Sequence, residues 1–201
     1  LSSPDRILYI RDESGPVKVR IDQDARLEPG EVVDVAGFPV LASRSPEVAD
    51  AIFQKAGRGE IPSPVAAAPS QALTGAFDNE LVKMEARLVA AEVAGDNYQT
   101  LFLRSDRTEF SARLQKSRGE LKASRLPAGS LVQVTGVCTR ENAEGPIPGG
   151  FVLLLRSPQD LRLLELPPSP SSSLESWVLW GATLALLLGF GWLALSLRRA
   201  D

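Results

Sequence analysis

Few residues in this 201-residue chain could do chemistry, and their types exclude more than they allow. There is no histidine. That removes a Ser-His-Asp triad, a Cys-His pair, histidine-ligated zinc and a phospho-accepting histidine. The only cysteine, Cys138, rules out an intrachain disulfide. It shares a strand face with Val132, Val134 and Gly136, as a small buried apolar side chain would. Arg140, two residues on, leaves open a redox thiol, which would need both a cation and exposure. The 25 Asp and Glu are scattered among 22 Lys and Arg, the pattern of a solvated surface rather than of an acid–base pair. Gly57-Arg58-Gly59 lacks the strand-to-helix setting of a phosphate loop. No catalytic, cofactor-binding or metal-ligating set is expected, and the chain is expected not to be an enzyme. Tyr9 and Phe102 remain as ligand-binding candidates. They occupy equivalent positions and point away from Leu8, Ile10, Leu101 and Leu103. There they either stack a planar ligand or pack against a loop or a neighbouring lobe. A net charge of −3 argues against a nucleic-acid partner, which usually needs a basic face.

The elements that position these residues come as an internal repeat. Residues 7–12 and 17–21 (ILYIRD, VKVRI) match residues 100–105 and 110–114 (TLFLRS, FSARL) at an offset of 93. Residues 27–37 (LEPGEVVDVAG) match 126–136 (LPAGSLVQVTG) at an offset of 99. The slip falls in the loop between the matches, where insertion is tolerated. Each copy alternates as strands do: Val17, Val19 and Ile21 against Lys18 and Arg20; Phe110, Ala112 and Leu114 against Ser111 and Arg113. Turn chemistry separates the runs at residues 12–16, Pro29-Gly30, Ser105-Asp106 and residues 127–129. The run 81–93 is rich in helix formers. Its alternation of Val82, Met84, Ala86 and Leu88 with Lys83, Glu85 and Arg87 nevertheless predicts a strand, the first of the second copy. The first copy has no room for its counterpart, so its lobe is expected to be incomplete and the chain to be a fragment. Short strands with Gly and Pro punctuation predict two small β-barrels.

Residues 176–197 carry no charge, and as a helix they would measure about 33 Å against a hydrocarbon core of about 30 Å. Trp177, Trp180 and Trp192 sit where aromatic rings favour headgroups, and Arg198 and Arg199 follow directly. A single-pass transmembrane helix is expected, with the C-terminus cytoplasmic and the preceding region extracytoplasmic. The expected order is lobe 1 (1–60), a Pro/Ala-rich linker (61–74), lobe 2 (75–166), a Pro/Ser stalk (167–175), the span (176–197) and the start of a cytoplasmic segment (198–201).

Residues 136–138 (GVC), 153–168 (LLLRSPQDLRLLELPP) and 57–65 (GRGEIPSPV), with the Gly75, Asp78, Leu81-Val82 spacing, resemble the extracytoplasmic region of certain bacterial membrane sensor proteins. In these proteins paired OB-like segments and a Trp-containing span precede a histidine kinase or, in some, a diguanylate cyclase. The resemblance implies a mainly β chain: two OB-like lobes, the first lacking its first strand, then one transmembrane helix. It implies the sensory input region and membrane anchor of an inner-membrane receptor whose catalytic part lies elsewhere. The implied partners are the lipid bilayer, a second copy in a homodimer and an unknown extracytoplasmic ligand or protein, with no cofactor. The alternative is a bitopic OB-fold binding or assembly module without signalling output.

Overall fold

The computed structural model describes residues 6–23, 27–41, 45–92, 97–121, 126–140, 147 and 149–167. They form two sheets. The first holds β1 (Ile7–Asp12), β2 (Gly15–Ile21), β3 (Glu31–Pro39) and β4 (Glu47–Arg58) in the order β1-β2-β4-β3. β1 and β2 make an antiparallel hairpin, β4 runs parallel to β2, and β3 is antiparallel to β4. The hairpin turn is closed by Asp12, whose Oδ1 accepts from the Ser14 amide at 2.8 Å and its hydroxyl at 2.6 Å. These bonds favour the carboxylate and hold Asp12 below its ordinary pKa.

The second sheet holds β5 (Val65–Ala66), β6 (Leu81–Glu92), β7 (Tyr98–Ser105), β8 (Thr108–Gln115), β9 (Leu131–Thr139), β10 (Val152–Leu155) and β11 (Leu161–Glu165). β6 pairs with β9 over Leu81 to Arg87 and with β7 over Arg87 to Glu92. A register shift between Leu88 and Ala90 makes the corner at which it leaves one neighbour for the other. That double pairing closes the ring β6-β7-β8-β10-β9, with β8 and β10 parallel and the other pairs antiparallel. The fold is mainly β with a closed five-stranded, OB-like barrel.

The interior follows the alternation. Val82, Met84, Ala86 and Leu88 of β6 are all buried, so packing overrides the helical propensity of 81–93. Phe110 and Phe151 stack in the core with centroids 4.8 Å apart. Each fully buried side chain of this size contributes about 1.5–3 kcal/mol.

Part of the stretch expected to be a linker belongs to the barrel. Val65 pairs with Val82 in parallel, and the single turn α1 (Pro69–Ala72) buries Ala72 in the barrel core. The expected transmembrane helix at 176–197 lies outside the described residues, as do Trp177, Trp180, Trp192, Arg198, Arg199 and the stalk beyond Pro167. Among the described residues no helix is long and apolar enough to cross a membrane.

Candidate functional site

β7 and β8 carry the residues that the barrel turns outward. With Leu101, Leu103, Phe110, Ala112 and Leu114 in the core, the pleat puts Thr100, Phe102 and Arg104 on the other side of the strands, opposite Arg113, Ser111 and Glu109 respectively; Thr100 and Ser111 are buried there, and Arg104 and Glu109 are exposed. Phe102 is half-buried at the centre of this face. Arg104 is its neighbour along the strand and Arg113 its diagonal neighbour across it. Arg104 donates from Nε to Glu109 Oε1 at 2.8 Å, an exposed pair worth less than about 1 kcal/mol, so the guanidinium is available to a competing anion. At one end of the face Tyr98 lies opposite Gln115, whose Oε1 accepts from Arg118 Nε at 3.3 Å. Desolvation draws the Arg118 guanidinium below its ordinary pKa. Ser111 is fully buried, and its Oγ has no hydrogen-bond partner among the described residues.

The first sheet repeats the arrangement. Tyr9, half-buried on β1, faces Lys18 across the hairpin, with Arg11 on its own strand and Arg20 diagonal to it. Glu47 on β4 serves both cations of β2, Lys18 Nζ at 3.6 Å and Arg20 Nε at 2.9 Å. Arg11 forms an ion pair with Glu80. Both candidate aromatics therefore stand at equivalent places, each ringed by cations that are themselves partly neutralised. The flanking arginines were not singled out in the sequence, although their signal was present: they share the period of two that turns Phe102 outward.

Cys138 resolves as a buried apolar residue. It is inaccessible in the barrel core, and desolvation, reinforced by Asp78 and opposed by Arg140, pushes its thiol up to about 12. Arg140 is held instead by Asp78, with Nη2 to Oδ2 at 2.5 Å and Nε to Oδ1 and Oδ2 at 3.0 and 2.9 Å. Gly75, at φ +87°, lies against the same guanidinium: a Cβ there would collide with Arg140 Nη2. Asn79, left-handed at φ 65°, donates its amide to the Cys138 carbonyl at 2.8 Å and its Nδ2 to the Pro46 carbonyl at 3.0 Å. With the Arg11–Glu80 pair, this bond ties the first sheet to the entry of the barrel. Among the described residues no group of three His, Cys, Asp or Glu side chains gathers where it could hold a metal.

No protein-family model and no curated protein matches this chain. Similar solved structures include the aspartyl-tRNA synthetase of Entamoeba histolytica, 18% identical with a TM-score of 0.41, covering 53% of this chain and 22% of that one. A protein assigned as an aspartyl-tRNA synthetase in Leishmania major Friedlin is 14% identical with a TM-score of 0.40, covering 54% and 22%. The chain spans about a fifth of the length of either.

These findings correct the expectations drawn from the resemblance. The solved structures named above are aspartyl-tRNA synthetases rather than sensor proteins, and among the described residues no helix is long and apolar enough to cross a membrane. The sensory input region, the bitopic module offered as its alternative and the lipid-bilayer partner are withdrawn, and the homodimer, inferred only from single-helix signalling, goes with them. The motifs behind the resemblance are accounted for as turn and strand chemistry: Gly75 and Asp78 seat Arg140, and Gly59 donates to Gly30 at 2.8 Å. The exclusion of nucleic acid is corrected as well. Net charge is a sum over the chain, whereas binding reads a face, and the β7–β8 face carries Arg104 and Arg113 beside Phe102.

Proposed function

We propose that this chain is a non-catalytic binding module that holds single-stranded nucleic acid on the outer face of β7 and β8. The observation that carries this is Phe102, half-buried and outward between Arg104 and Arg113 on adjacent strands of a five-stranded barrel. A ring set in a pleated surface offers a stacking plane that any base can use, and flanking guanidinium groups meet the phosphates on either side. The first sheet supports a second such platform at Tyr9. Its order, β1-β2-β4-β3 with β2 and β4 parallel, is that of the barrel ring without the strand corresponding to β6. We read it as a second OB-like lobe lacking its first strand. Glu47 and Glu109 neutralise part of each platform, so binding should be modest and shallow in its salt dependence.

The test is fluorescence anisotropy of the full chain with labelled 12-nucleotide single-stranded RNA and DNA, against a duplex of the same sequence. Stacking worth about 1–3 kcal/mol per base predicts that Phe102→Ala weakens binding by roughly 5- to 150-fold. Arg113→Ala should weaken it and flatten the dependence on salt. Absence of single-strand binding, or Phe102→Ala binding like the parent, overturns the assignment.

A further inference from the structure

The internal repeat supplies a template for the two edges of the first sheet. In the barrel, Leu103, Val132 and Val134 lie beside β6, opposite Leu88, Ala86 and Met84, and each is at most 1% exposed. Their counterparts in the first sheet, at offsets of 93 and 99, are Ile10, Val33 and Val35. All three are only half-buried. Exposure alone does not mark the vacancy: Leu8, matching Leu101 opposite Ala91, is 1% exposed, while Val17 and Val48, away from the missing neighbour, are half-buried. The strand order marks it, because β1 and β3 are the two strands that end the sheet. Among the described residues no strand pairs with the outer edge of either.

We infer that the first sheet accepts an extended polypeptide strand, antiparallel to both β1 and β3, with apolar residues at alternate positions as in β6. The intact barrel specifies the occupant's chemistry. β6 pairs antiparallel with both β7 and β9, and its Val82, Met84, Ala86 and Leu88 point inward while Lys83, Glu85 and Arg87 face out. Its turn toward the second neighbour occurs at the shift between Leu88 and Ala90. A strand of this pattern would cover Val33, Val35 and Ile10 and pair with two exposed sheet edges at once, the mode of strand addition. A nucleic acid offers neither the main-chain donors nor the alternating apolar groups, so this slot is separate from the aromatic platforms on the outer surface.

The test adds a synthetic peptide of residues 81–92 (LVKMEARLVAAE) to the full chain and follows amide hydrogen exchange. A control peptide has the same composition with the apolar and polar positions interchanged. The expected result is saturable binding of the first peptide alone, with exchange slowed at least tenfold in residues 7–12 and 31–39 and unchanged in 98–115. Val35→Ser should weaken the effect, with retained protection of β2 and β4 showing that the sheet still folds. No added protection in β1 and β3, equal effects of both peptides, or protection confined to residues 81–139 through strand exchange into the barrel would each overturn the inference. So would edges already paired between copies, seen as a stable dimer in sedimentation with β1 and β3 protected before any peptide is added.

Discussion

Gly136→Ala probes the closure of the barrel more directly than any truncation of the core. Gly136 lies on β9 beside β10, and a Cβ built there would meet the Leu154 carbonyl oxygen at 2.9 Å, its carbon at 3.1 Å and Leu153 Cβ at 3.3 Å. Ordinary contact begins near 3.4 Å, so β10 must retreat by about half an ångström, and the obstacle is backbone rather than a side chain that can swing away. Overpacking of this kind costs about 1–3 kcal/mol. Replacing glycine also restricts the unfolded chain, which returns about 0.4–1 kcal/mol. The net loss is about 0–2.6 kcal/mol, centred near 1.3, or a fall in Tm of roughly 3–5 °C at the centre for a compact unit of this length. The measurement is thermal unfolding by far-ultraviolet circular dichroism, with hydrogen exchange in residues 152–155 to locate the loosening. The matched position in the first sheet, Gly37, is tighter still, with Val48 Cγ1 at 2.6 Å and the Ala49 carbonyl oxygen at 2.9 Å from the added Cβ. Gly37→Ala should therefore destabilise that sheet. Gly57, on β4, has nothing within 4 Å of its added Cβ, so Gly57→Ala should be neutral or slightly stabilising. A Gly136→Ala protein that melts at or above the parent temperature, with residues 152–155 still protected, would refute the close approach of β9 and β10.

Asp78→Ala should lower stability by about 2–3 kcal/mol in a denaturant titration, because it strands the Arg140 guanidinium in a site where only 26% of that side chain is exposed. Glu109→Ala, at an exposed pair, should change stability by less than about 1 kcal/mol; equal effects would show that the Asp78 pair is no better shielded. Cys138 should resist alkylation at pH 8 in the native protein and react at an ordinary rate once unfolded, since a thiol with a pKa of about 12 is almost entirely protonated there; complete native labelling within a minute would contradict its burial. Glu31 is held below the ordinary glutamate range by the hydrogen bond from Lys55 first and by the Glu28 amide next. A depressed carboxylate contributes stability above its unfolded pKa and loses it as pH falls through the folded value. The urea midpoint should therefore fall as the pH drops below about 4.5, and Glu31→Gln should lessen that fall; an unchanged acid limb would exclude the Lys55 contact as its source.

Much of the architecture was legible from local pattern. The period of two named the inward residues of β1, β2, β7, β8 and β9, because alternation and turn chemistry are properties of neighbouring residues. For residues 81–92 alternation outweighed helical propensity, since a barrel interior rewards Val82, Met84, Ala86 and Leu88 on one side far more than propensity penalises them. Partners distant in the chain were not legible. The parallel pairing of β8 with β10, the Arg140–Asp78 pair across 62 residues and the Arg11–Glu80 pair across 69 depend on which strands meet, which no local window encodes. Within the stretch expected to be a linker, Val65, Ala66 and Ala72 join the barrel for the same reason: Ala72 is apolar in any context, and only the folded sheet gives it a core to enter. Function was the least legible. Glycines and acids that suggested a sensor region proved to be requirements of turns and strand crossings, which unrelated activities share on one fold. The net charge of −3 concealed a face on which two arginines flank Phe102, because composition adds charges together while folding sorts them in space.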